Sequence, residues 1–60
     1  MNIELGKPVI FTLQSGAEKT VIVYGQLGDG QWDIEVNGTR TIYTDLQSAI
    51  GEPYVNYRYA

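Results

Sequence analysis

The dipeptide Asn37-Gly38, set between two short segments of β-forming residues, constrains this chain more than any other feature. Asn-Gly is the preferred pair for a type I′ turn, in which both central residues take positive φ and the flanking strands leave with the natural twist of a sheet. Before it, Gln31-Trp32-Asp33-Ile34-Glu35-Val36 alternates with strict period two, placing Trp32, Ile34 and Val36 inward and Gln31, Asp33 and Glu35 toward water. After it, Thr39 to Thr44 forms the returning strand. A two-residue loop sets Glu35 opposite Arg40 as a charge pair and Trp32 opposite Tyr43. A three-residue loop with a bulge instead brings Ile42 onto the Trp32 face and turns Tyr43 outward. The charge pair and the ring contact favour the tight loop.

The hairpin needs further strands, because two alone do not hold together in water. Ile3 and Leu5 alternate with Asn2 and Glu4, and Val9, Phe11 and Leu13 share one face, so a strand is expected here, bent at Gly6. Pro8 lacks the N–H that a ladder needs and belongs at a strand start, a bulge or an edge. Lys19 to Leu27 predicts a second strand, with Val21, Val23 and Leu27 on one side and Ile22 and Tyr24 on the other. Two apolar faces mark a central strand. Thr44-Asp45-Leu46-Gln47 has the form of a capping box, with Leu46, Ala49 and Ile50 on one helix face and Gly51 and Pro53 beyond to stop it. The C-terminal Pro53-Tyr54-Val55-Asn56-Tyr57-Arg58-Tyr59 resumes period two as a last strand, with Val55, Tyr57 and Tyr59 together. The expectation is one mainly β, small α+β domain over residues 1–60: an antiparallel sheet of four to five strands with one short helix at about residues 45–50.

Such a domain lacks the usual staples. The 60 residues include no cysteine and no histidine, which removes disulfides and the ordinary zinc, copper, haem and iron–sulfur ligand sets. No cofactor is expected. A core of this size rarely supplies more than about 3–5 kcal/mol, so burial against another chain, including a homodimer, is an open expectation. The net charge is −3, and the four cations, Lys7, Lys19, Arg40 and Arg58, are scattered, which gives a phosphate backbone little to hold. No basic start with an apolar core opens the chain and no apolar run approaches membrane-spanning length, so a soluble, cytoplasmic protein is expected.

Catalytic machinery is thin. Ser15 and Ser48 have no histidine to activate them. Asp33 and Glu35 stand two apart, roughly 7 Å between Cα atoms, but alternating acids are what a solvated strand face carries. Asp29-Gly30-Gln31-Trp32-Asp33 echoes a calcium loop without its later ligands, and Asn37-Gly38-Thr39 matches a glycosylation sequon that the hairpin explains better. No enzyme is expected.

The tyrosines carry the functional reading. Tyr54, Tyr57, Arg58 and Tyr59 crowd one strand, and tyrosine and arginine are typical interface anchors. They serve either to close the core or to form an edge that a partner pairs with. Asp33 and Glu35 would be a second, acidic partner face. The leading expectation is a non-catalytic protein-interaction module; the alternative is a binder of small ligands or single-stranded nucleic acid through aromatic faces. In size, in the compact β start and in the Trp32–Tyr43 hairpin followed by a capped helix, the chain resembles small proteins of bacteriophages and mobile elements. That resemblance implies an inhibitor or adaptor acting on a host protein and assigns no residue.

Overall fold

The computed structural model describes residues 3–60 and shows a small α+β domain with a five-stranded antiparallel sheet and one short helix. The strands are β1 (Val9–Leu13), β2 (Glu18–Gly28), β3 (Gln31–Val36), β4 (Thr39–Tyr43) and β5 (Tyr54–Tyr59), with α1 (Leu46–Ile50) between the last two. The spatial order is β4-β3-β2-β1-β5, which puts β2 in the middle, as its two apolar faces predict, and leaves β4 and β5 as edges.

The hairpin takes the tight loop. Asn37 and Gly38 have φ of 50° and 88°, and Val36 pairs with Thr39, Ile34 with Thr41 and Trp32 with Tyr43. Asn37 also fastens the turn to β2: its amide donates to the Thr20 carbonyl and its Oδ1 accepts from the Thr20 amide, both at 2.9 Å. A register set by five cross-strand pairs and held by this clamp excludes the bulged alternative.

One face of the sheet carries the core. Val9, Phe11, Leu13, Val21, Val23, Ile34, Ala49 and Ile50 are buried, and Ile3, Trp32, Val36, Tyr43, Leu46 and Tyr54 pack around them. The helix lies across β3 and β4 on this face. It is too short to persist alone, and three contacts hold it. Asp45 accepts from the Ser48 amide at 2.7 Å, Gly51 at φ 83° donates to the Gln47 carbonyl, and the Lys19 ammonium reaches the Ile50 carbonyl.

Four local expectations are corrected. Asn2 lies outside the described residues, and the first strand begins only at Val9, because residues 5–7 form a turn in which the Gly6 amide donates to the Val23 carbonyl. Leu27 is 63% exposed and does not share the Val21–Val23 face, because β2 slips in register at Tyr24 and again near Leu27. The helix cap is Asp45, one residue after Thr44; Thr44 Oγ1 bonds the Ser48 hydroxyl and the Gln47 side chain donates forward to the Glu52 carbonyl. In β5 a bulge against Thr12 and Leu13 takes up Val55, so Tyr54, not Val55, joins Tyr57 and Tyr59 on the core side.

Candidate interaction surface

Register arithmetic divides the six residues expected to bind a partner between the two faces. Tyr54, Tyr57 and Tyr59 pair with Leu13, Phe11 and Val9, which are core residues, and so stand on the core face. Arg58 pairs with Ile10 on the opposite face, the one that also carries Asp33 and Glu35.

On the core face the tyrosines roof the end of the core and remain partly open to water. The Tyr54 ring meets Phe11 edge-on with centroids 4.8 Å apart, Tyr57 lies 5.6 Å from Phe11, and the two tyrosines are 6.3 Å apart. Phe11 is fully buried beneath them, while Tyr57 and Tyr59 keep 39% and 43% of their surface exposed. The Tyr59 hydroxyl accepts from the Glu4 amide at 3.0 Å and ties the strand to the N-terminal segment. Core closure and an exposed aromatic rim are therefore properties of the same residues.

Among the described residues no helix lies on the opposite face. Ile10, Thr12, Ile22 and Tyr24 occupy its middle, half-buried by their neighbours, and Ile42 is 50% exposed. Around them run two side-chain bridges. Arg58 reaches over β1 to Glu18 at 3.0 Å. Arg40 donates two bonds to Asp33, at 2.8 and 2.7 Å, and its guanidinium carbon sits 3.8 Å from the centre of the Tyr24 ring. Glu35, directly opposite Arg40, instead accepts from the Tyr24 hydroxyl at 3.1 Å. The expected Glu35–Arg40 pair is thus replaced by a diagonal one. The guanidinium holds the Asp33 carboxyl below the usual carboxylate range, and desolvation together with the bond to Glu35 pushes the Tyr24 phenol up.

The sequence reading missed Tyr24 and Arg40 as members of this network, although Tyr24 and Ile22 on the second face of a central strand were the available signal. Among the described residues no cleft opens and no group of three histidine, cysteine, aspartate or glutamate side chains is placed to hold a metal. No helix among them is long and apolar enough to cross a membrane. Compared with protein-family models, curated proteins and solved structures, the chain matches none.

Proposed function

We propose that the chain is a non-catalytic protein-interaction module that takes a protein partner along β5. The carrying observation is the row of Tyr54, Tyr57 and Tyr59 on an edge strand, with Tyr54 partly buried and Tyr57 and Tyr59 exposed. Backbone alternation adds to it. Ala60 donates to the Pro8 carbonyl at 3.1 Å, so Ile10–Arg58 is the next bonded pair and the N–H and C=O of Tyr57, between bonded positions, point away from β1. An extended partner segment gains main-chain bonds at such a rim and side-chain contact with the rings beside it. Arg58, exposed beyond its bridge to Glu18, contributes the polar part of the contact.

In this reading the protein works as an inhibitor or adaptor of a host protein, as small bacteriophage proteins do, in the cytoplasm. Asp33 is a weaker contact residue than Tyr57, because its side chain is only 18% exposed and already committed to Arg40. Ligand or single-strand binding uses the same tyrosines but draws less support from rings packed edge-on against Phe11 than from rings stacked open to a base.

Affinity capture from host extract tests the proposal with the Val55→Asp/Arg58→Ala double variant, which alters the edge without touching the core, and Asp29→Asn in the exposed turn between β2 and β3 as control. Wild type and control are expected to retain one protein that the double variant loses. Equal capture by all three, or none by any, contradicts the reading; a Trp32 fluorescence change on adding nucleotides or short single strands would favour the alternative.

A further inference from the structure

The two edges of the sheet are not equivalent. The Asn37 amide bonds the Thr20 carbonyl, so Glu35 is the next residue bonding toward β2, while Ile34 and Val36 bond toward β4. Their partners Thr41 and Thr39 therefore bond inward, and Arg40 and Ile42 direct their N–H and C=O to the rim. Along all five residues β4 pairs with β3 without a register shift.

A rim of this kind is ordinarily guarded by charge, proline or a bulge. Here the strand has no proline and no bulge, and its one charge is turned away, since Arg40 folds across β3 to Asp33 and the Tyr24 ring. The sequence is also self-complementary about its centre. Laid antiparallel on itself with a two-fold axis through Thr41, β4 sets Arg40 opposite Ile42, Thr39 opposite Tyr43 and Thr41 opposite Thr41. No like charges meet, the threonine pair is a favourable one, and the outward groups of Arg40 and Ile42 find each other across the axis.

The same operation on β5 fails. Matching Tyr57 with Tyr59 sets Arg58 against the second copy's Arg58, and centring Tyr57 on itself brings the ladder to the Val55 bulge two residues away.

We infer that a second copy of this chain docks on β4, joining two five-stranded sheets into one antiparallel sheet whose two-fold axis passes Thr41. β5 is left at both outer ends. The inference stands independently of what binds there.

Because the chain has no cysteine, a single introduced thiol reports the axis. Opposed residues in a non-hydrogen-bonded antiparallel pair have Cα atoms about 4.5 Å apart, inside the disulfide range. Thr41→Cys is expected to cross-link in a glutathione buffer at least about tenfold faster than Asn56→Cys on β5, through the higher effective concentration at the axis. Light scattering at about 100 µM is expected to give a dimer mass for wild type and a monomer mass for Ile42→Lys. That lysine sits opposite Asp33 within its own chain and opposite Arg40 of the second copy, so the fold, followed by circular dichroism, is expected to be retained. A monomeric wild type, a dimer that survives Ile42→Lys, or Thr41→Cys cross-linking no faster than Asn56→Cys each overturns the inference.

Discussion

Arg40 passes over Glu35, the residue directly opposite it, and closes a two-bonded ion pair with Asp33, its diagonal neighbour. The choice depends on Tyr24. A register slip in β2 leaves Tyr24 without a cross-strand partner, which brings its hydroxyl to Glu35 and its ring under the guanidinium. Four side chains from three strands are thereby fixed on the face opposite the helix.

This arrangement predicts a pH dependence. The folded pKa of Asp33 lies below its ordinary 3.8, so the stability it contributes is fully present above that value and is lost as pH falls through the lower folded one. Urea unfolding of wild type and Asp33→Asn between pH 6 and pH 2 is expected to show a flatter acid limb for the variant below pH ~4. Glu35→Gln, which keeps an acceptor for Tyr24, is expected to change the midpoint less than Asp33→Asn.

The helix cap gives a second test. Asp45 is also held below the usual carboxylate range, first by the Ser48 amide, so its contribution likewise fades only as pH falls below the ordinary 3.8. Asp45→Ala is expected to lower the melting temperature more than Thr44→Ala, because only the first leaves a helix N–H without its acceptor. Equal losses would restore Thr44 as the cap.

What could be read from the residues and what could not separate on one physical point. The hairpin, the central place of β2 and the helix between β4 and β5 follow from turn chemistry and from which residues are apolar, and these survive small local changes. Side-chain parity does not. The slips at Tyr24 and near Leu27 fall beside Gly25 and Gly28, residues that signal an irregular strand without fixing where it slips, and the bulge at Val55 has no such marker. Each inserts one residue and reverses which side chains follow onto a face. That is why Leu27 does not share the Val21–Val23 face and Val55 does not join Tyr57 and Tyr59, and why the Tyr24–Arg40 contact was not foreseen. The cap moved by one residue for a related reason, since Thr44 and Asp45 are both good caps and the ionised carboxylate accepts the stronger bond.

The one-sided core predicts sharp sensitivity at its centre. Phe11 is fully buried under Tyr54 and Tyr57, and Phe11→Ala removes about 3–5 kcal/mol, as much as a core this small supplies. The variant is expected to be unfolded at 25 °C by circular dichroism. Val55→Ala, at an exposed bulge, is expected to fall within about 0.5 kcal/mol of wild type.

The turn offers a conformational test. Gly38 sits at φ 88° with nothing within 4 Å of an added Cβ, so Gly38→Ala isolates backbone strain from crowding. A loss of about 1–2 kcal/mol in urea unfolding is expected. A neutral result would mean that the hairpin relaxes to another turn.

Whether β5 is the strand that meets a partner is read directly by amide hydrogen exchange in the presence of the captured protein. In the free chain Tyr57, whose N–H faces the rim, is expected to exchange faster than Arg58, whose N–H is bonded to β1. On binding, Tyr57 is expected to slow by at least about tenfold while Ile10 and Ile22 stay unchanged. A Tyr57 amide that keeps its free rate in the complex would contradict the account.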